Sequence, residues 1–220
     1  MKRTAIIISA ALAAFAAVIA TGAIALAAVN PAVTSAQTRH MADIEKYFDQ
    51  VRTMTADFTQ VASNGTSSRG RLYLSKPGRL KMVYDPPDNF ELIANSGRFI
   101  YHDKRLNQAM YLDISRTVAN VILRDRLAFN TPGLEVTRVQ ESGQDIEITL
   151  RQQNDPMAGQ MTLVFNLRPQ IALAGWRITD AQNVTTVVTL HKQAVNVPVS
   201  RRLFDYVNPL MERQRHDPRR

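Results

Sequence analysis

The sequence predicts a mainly β protein built on an antiparallel sheet, barrel or sandwich, and three observations carry that prediction. From Met54 onward, short stretches alternate apolar and polar side chains, which is the period of a half-buried strand. Turn formers separate these stretches: Asn64-Gly65, Lys76-Pro77-Gly78-Arg79, Asn95-Ser96-Gly97 and Ser142-Gly143-Gln144. Gly permits positive φ in such turns and Pro presets φ, so the chain reverses where they stand. Only two stretches after the N-terminal region show helical spacing instead.

The chain opens with Met1-Lys2-Arg3 and then runs uncharged from Thr4 to Thr38. A basic start followed by an apolar run reads as a secretory signal, here residues 1–36, with Thr34-Ser35-Ala36 supplying small residues before a cut at Gln37. An uncleaved anchor is the alternative, because Ala5–Val29 reaches the length of about 20 residues that spans a bilayer. Lys2 and Arg3 hold the start on the cytoplasmic side in both cases, so the remainder is exported.

Gln37 to Thr53 forms the first predicted helix. Met41, Ile44, Phe48 and Val51 recur at intervals of three and four, and Asp43 and Glu45 sit early, where the helix dipole favours negative charge. Strands are then expected at Met54–Val61, Gly70–Ser75, Leu80–Tyr84, Phe90–Asn95, Arg98–Asp103 and Gln108–Asp113. Asp85-Pro86-Pro87 stops the third of them. A second helix is predicted over Arg116–Phe129, with Val118, Val121, Ile122 and Leu127 on one face, Ser115 as its cap, and Thr131-Pro132-Gly133 ending it. Five more strands follow: Leu134–Glu141, Asp145–Gln152, Gly159–Leu167, Ile171–Asp180 and Val184–Ala194. Residues 210–220 read as a basic, disordered tail.

Composition narrows the function. The formal charge is +8, from 27 Lys and Arg against 19 Asp and Glu. That excess serves solubility, or attraction to an anionic membrane surface or an acidic partner. Nucleic acid is excluded as a partner by export and by the scatter of the basic residues. The chain has no cysteine, hence no disulfide framework and no N-terminal Cys for its own lipidation. His40, His102, His191 and His216 are far apart and no H-E-x-x-H occurs, so no metal site is expected. No G-x-S-x-G elbow is present, and Gly65–Gly70 lacks the Lys of a phosphate loop. Nothing calls for a cofactor or for catalysis.

The inward-facing residues include Phe58, Leu72, Leu74, Met82 and Tyr84 on the strands, Val118, Val121 and Ile122 on the second helix, and Trp176 on a late strand. Periodicity alone leaves two readings open for them, ordinary core or apolar ligand cavity. Trp176 reads as an anchor within that apolar set rather than as a sugar platform.

Three phrases carry a resemblance. They are Phe58-Thr59-Gln60; then Gly70-Arg71-Leu72-Tyr73-Leu74-Ser75-Lys76-Pro77; then Tyr84-Asp85-Pro86-Pro87. Leu203-Phe204-Asp205-Tyr206-Val207-Asn208-Pro209 adds a fourth near the end. In their order and spacing, from Met41 to Pro209, they resemble the periplasmic lipoprotein carriers of double-membraned bacteria (LolA-like). The resemblance implies an incomplete, open antiparallel β-barrel of about eleven strands with an α-helical lid over its concave apolar face, occupying residues 37–209. It implies a monomeric periplasmic chaperone, not an enzyme, that binds the acyl chains of lipoproteins leaving the inner membrane and carries them to the outer membrane. Its partners would be acylated lipoproteins as cargo, an inner-membrane lipoprotein-releasing transporter and an outer-membrane lipoprotein receptor. The apolar set named above would line the acyl-chain cavity. An Arg before the Pro latches the lid in that family; here Lys76 stands at that place, beside Pro77, with Arg79 as a second candidate. A carrier of free lipid or glycolipid, soluble or membrane-anchored, and a lipoprotein-sensing module are the alternative readings.

Overall fold

The computed structural model describes residues 35–153, 155 and 158–206. The expected signal, except for Ser35 and Ala36, and the basic tail lie outside the described residues, as do the side chains of Arg116, Val118 and Ala119. One α-helix, α1 (Ser35–Gln50), precedes eleven strands: β1 (Thr53–Ala62), β2 (Ser67–Ser75), β3 (Arg79–Tyr84), β4 (Phe90–Asn95), β5 (Arg98–Asp103), β6 (Gln108–Asp113), β7 (Leu134–Ser142), β8 (Asp145–Gln152), β9 (Gln160–Asn166), β10 (Ala172–Thr179) and β11 (Thr185–Val195). The strands form one antiparallel sheet in the order β6-β5-β4-β3-β2-β1-β11-β10-β9-β8-β7. It does not close, and β6 and β7 are its edges. All eleven expected strands are present.

The chain divides into two compact units. The first takes residues up to 48, 61–66 and 128–189, and so holds nearly all of α1 with β7 to β10. Its strands pair apolar residues directly: Ile146 opposes Phe165, Ile148 opposes Leu163 and Leu150 opposes Met161. All six are 0 % exposed. Ile44 and Phe48 bury the apolar stripe of α1, and the Tyr47 ring meets Phe165 edge-on at 6.3 Å. Gln37 Nε2 donates to the Val139 carbonyl and His40 Nδ1 meets Glu141 Oε1 at 2.8 Å. The helix begins at Ser35, earlier than expected, so Asp43 and Glu45 fall outside its first turn. The Glu45 carboxylate instead accepts the Phe129 amide at 2.6 Å.

The second unit takes 49–60, 67–127 and the residues from 190 onward. In β1 to β3 alternate residues are buried, as the strand period requires. Gly70 has a packing reason, since a Cβ there would collide with the Val83 carbonyl oxygen on β3. Gly78 takes φ +76 in the β2–β3 turn, the left-handed region that Gly enters freely.

The predicted second α-helix does not form. Residues Ile114–Arg116 and Val118–Leu123 make two 3-10 turns instead. Thr117 between them is extended, at φ −115 and ψ 137, and gives the second turn no side-chain cap. Thr117, Val118, Val121 and Ile122 are β-branched, which disfavours helix without a cap to offset it. The cap of the first turn is Asp113, not Ser115: its carboxylate accepts the Ser115 amide at 2.9 Å. Arg124 returns to extended geometry. The expected α-helical lid is therefore an irregular strap.

Candidate functional site

The site builds on the second unit, where β1, β2 and β3 aim their alternate side chains to one face. Register brings Leu72 opposite Met82, Leu74 opposite Leu80 and Gly70 opposite Tyr84. The absence of a side chain at Gly70 leaves room beside Tyr84. Phe58 meets Tyr84 at 4.9 Å in an edge arrangement, Tyr84 stacks on Phe90 at 3.9 Å, and Phe90 meets Tyr101 at 5.1 Å. The Tyr84 hydroxyl donates to Gln60 Oε1 at 2.6 Å. Burial above all, with the nearby Asp88 charge, pushes the Tyr84 hydroxyl far above its ordinary range, so it stays protonated and keeps donating. The Phe58 and Gln60 of one sequence phrase and the Tyr84 of another thus form one cluster.

Phe58, Leu72, Leu74, Met82 and Tyr84 are each no more than 4 % exposed. Val121 and Ile122 on the strap are buried as well, with Leu123 and Leu127. Val118 lies on the same 3-10 turn, and its side chain is outside the described residues. Trp176 belongs to the first unit, where it opposes Leu163 and Val188 in β9 and β11. Eight of the nine residues expected at the cavity therefore fall in one unit and Trp176 falls in the other. A separate depression of about 530 Å³ sits at the β4–β5 turn, lined among others by Asn95, Arg98, Phe204 and Tyr206.

The strap is held to the unit by few polar links. The Gly78 amide donates to the Leu123 carbonyl at 2.8 Å, which joins the β2–β3 turn to the strap. Arg52 Nη1 pairs with Asp125 at 2.5 Å with both side chains more than half exposed. Asp49 accepts the Leu127 amide at 3.3 Å and lies 3.6 Å from Arg126. The expected latch residues stand at this point. Lys76 is only 6 % exposed, its amide donates to the Arg52 carbonyl at 2.8 Å, and Pro77 is exposed. Burial brings the Lys76 ammonium down to about 8, with Asp49 and Asp125 opposing that shift and Arg52 adding to it. Arg79 Nη2 donates to Ser75 Oγ at 3.4 Å, while its Nε is buried without a partner.

Sequence reasoning missed Arg52, Asp125 and Asp49, whose roles arise from pairs 73 and 78 residues apart and leave no local pattern. It also missed a buried charge cluster on β3 to β5. Glu91 binds Lys81 Nζ at 3.1 Å, His102 Nδ1 at 3.2 Å and Lys104 Nζ at 3.2 Å. Burial raises the Glu91 carboxyl, but hydrogen bonds from His102 and Lys81 and the lysine charges outweigh it and hold the carboxyl below its ordinary range. The strand pattern signalled this weakly: Glu91 and Lys81 occupy the face opposite Met82 and Leu92. Among the described residues no group of three or more His, Cys, Asp and Glu is arranged to hold a metal ion.

Known proteins resemble this chain along most of its length. The family model for outer membrane lipoprotein carrier protein LolA matches residues 49–207. An outer-membrane lipoprotein carrier protein of Francisella tularensis subsp. novicida is 23 % identical over 172 residues, covering 76 % of this chain and 83 % of the relative. An uncharacterized protein of Rickettsia prowazekii is 24 % identical over 170 residues, covering 77 % and 78 %. Among solved structures, the LolA superfamily protein of Nitrosomonas europaea aligns with 76 % of this chain and 97 % of its own, at a TM-score of 0.43 and 10 % identity.

Proposed function

This chain belongs to the LolA family of outer membrane lipoprotein carrier proteins, and from that membership we propose that it is a periplasmic chaperone that shields the acyl chains of lipoproteins between the inner and outer membranes. The cargo enters from an inner-membrane lipoprotein-releasing transporter and leaves to an outer-membrane receptor. The chaperone works as a monomer and does no chemistry on the cargo. Energy for loading comes from the transporter.

The observation that carries the reading is that one unit holds both a buried apolar sheet face and a weakly tied strap with buried apolar residues of its own. A free acyl chain in water exposes about 0.8 kcal/mol of unfavourable surface for each CH₂, and a protein that carries it must supply an equal amount of apolar cover. The face of β1 to β3 supplies Phe58, Leu72, Leu74, Met82 and Tyr84. The strap supplies Val121 and Ile122. With the strap closed these groups are buried and the protein is soluble without cargo. Lifting the strap breaks the Gly78–Leu123 hydrogen bond, about 1 kcal/mol net, the hydrogen bond from the Leu127 amide to Asp49, about 1 kcal/mol or more, and the exposed Arg52–Asp125 and Arg126–Asp49 pairs, about 0–1 kcal/mol each. The larger cost is baring apolar side chains, and an acyl chain offsets it by covering the same surface. Loading then exchanges one burial for another, which permits both capture and release. Met82 helps, because its unbranched thioether adapts to chains of varied shape.

Lys76, Pro77 and Arg79 act as the latch of this closure. Lys76 is not a planar fork as Arg is, and its burial beside Arg52, Asp49 and Asp125 couples the turn to the strap by charge.

The test is release. Purified protein is added to spheroplasts that carry labelled lipoprotein, and the soluble fraction is examined for lipoprotein bound to this chain. A soluble complex is expected. Its absence, with the spheroplast transporter shown to be active, overturns the reading. Ile122→Asp should weaken acyl binding while the far-UV spectrum of the sheet is kept.

A further inference from the structure

The second unit carries its charge unevenly along its strands, and we propose that its strap-bearing end docks on the anionic headgroups of a phospholipid bilayer. Antiparallel strands bring alternate turns to the same end. Here that end gathers the β2–β3 turn, the β4–β5 turn, the strap after β6 and the segment after β11. Hydrogen bonds knit them together: Gly78 to Leu123, the Ile114 amide to the Gly97 carbonyl at 3.1 Å, and Asn95 Nδ2 to the Phe204 carbonyl at 3.2 Å.

Five guanidinium groups meet there: Arg79, Arg98, Arg124, Arg201 and Arg202. None has a carboxylate within salt-bridge distance among the described residues; Asp113 stands opposite Arg98 in register and Asp205 lines the same depression as Arg98, so this end is marked by an excess of cations and not by an absence of acids. Arg98, Arg201 and Arg202 are exposed. The opposite end of the same strands is balanced. Arg69 there lies 3.7 Å from Asp85, Lys104 pairs with Glu91, and Asp103 accepts the Arg105 and Leu106 amides.

The spread of the charge decides the partner. These guanidinium groups come from four separate segments, and of the five only Arg98 lines the depression at the β4–β5 turn, so they suit a broad field of phosphates rather than one carboxylate ligand. Guanidinium binds phosphate oxygens in a planar, bidentate fashion. Near an anionic bilayer each such residue strengthens binding by about fivefold, and the attraction fades within a Debye length. Docking this end brings the strap to the headgroup layer, the level at which an acyl chain leaves a membrane. The vesicle measurement below contains no lipoprotein, so its outcome is independent of the carrier reading.

The experiment is vesicle co-sedimentation of the full chain with membranes of phosphatidylglycerol and phosphatidylethanolamine, against pure phosphatidylcholine. Three proteins are compared: wild type, the Arg98→Ala/Arg201→Ala/Arg202→Ala triple variant, and the Arg69→Ala/Arg105→Ala/Lys192→Ala triple variant. The second variant removes the same charge elsewhere, and all three share the N-terminal segment and the tail. Unchanged thermal melting of both variants establishes that they fold. We expect wild type to prefer the anionic vesicles, the first variant to lose about a hundredfold of that preference, and the second to lose far less. Salt of about 0.5 M should abolish the difference. Equal losses in the two variants overturn the proposal, since net charge alone would then explain binding. Full vesicle binding by the first variant also overturns it, and impaired transfer by that variant to a receptor protein would then assign the basic end to an acidic protein partner.

Discussion

Counted as whole residues, the buried polar groups described in the first unit are uncharged, while those of the second include charged side chains. In the first, Ile146, Ile148, Leu150, Met161, Leu163 and Phe165 meet in register at zero exposure, and its buried polar residues are the threonines Thr149, Thr162 and Thr186. Thr149 and Thr162 satisfy each other at 2.9 Å. In the second, Lys76, Glu91, His102 and Asp103 are all buried; buried polar atoms without a partner occur in both units, Asp180 Oδ2 and Thr186 Oγ1 in the first and Arg79 Nε and His102 Nε2 in the second. A buried charge stabilises little and restricts what may pack beside it. A fold that needed only stability would have treated both units like the first. The second combines a buried apolar sheet face with an irregular strap that carries its own buried apolar residues and weak polar ties, the combination on which the proposed reversible binding rests.

This contrast can be broken or sharpened by measurement. Phe165→Ala removes a fully buried ring from the first unit and should cost about 3–5 kcal/mol; urea unfolding reads it, and a loss below about 1 kcal/mol would mean that this core is not close-packed. Glu91→Gln leaves Lys81 and His102 beside a neutral amide. A loss of about 2 kcal/mol is expected, less than for a fully dry pair because Lys104 is 44 % exposed. The sign with pH follows from the lowered Glu91 carboxyl: its stabilisation is full above its ordinary value of 4.5 and is lost as pH falls through the lower folded value. Wild type and variant should therefore converge in acid, and a constant gap down to about pH 2 would deny the ionic origin.

Lys76→Met should raise the melting temperature at pH 7 by an amount on the order of 1 kcal/mol in stability. The folded ammonium titrates near 8 and the unfolded one near 10.5, so wild type gains stability as pH rises through that window. The advantage of the variant should shrink over the same range; an advantage that grows with pH would refute burial as the cause. The smallest effect on stability is expected for Asp125→Ala, about 0.5 kcal/mol, because its pair with Arg52 is exposed. Cargo exchange should nevertheless quicken in that variant. Unchanged exchange would remove this pair from the closure.

Much of the fold is legible in the chain itself. The eleven strands follow from alternation and from turn residues such as Gly78, and the phrase Phe58-Thr59-Gln60 stands near Tyr84 because a three-strand meander returns the chain to the same face. The strap was not legible as it is. Val118, Val121, Ile122 and Leu127 keep helical spacing, yet Thr117 is extended and splits the segment into 3-10 turns. Spacing records which side chains are buried; it does not record whether the backbone between them makes α or 3-10 hydrogen bonds.

The sequence by itself determined the strand count, the turns, the apolar face of β1 to β3 and the membership that its phrases suggest, because each rests on neighbours within a few residues. Only the tertiary structure decided that Lys76 is buried, that Arg52 and Asp49 hold the strap, that Glu91 collects two lysines and His102 and that five guanidinium groups share one end of a unit. Those facts depend on residues far apart in the chain being brought within a few ångströms, and Coulomb and hydrogen-bond energies act on that distance, not on separation along the chain.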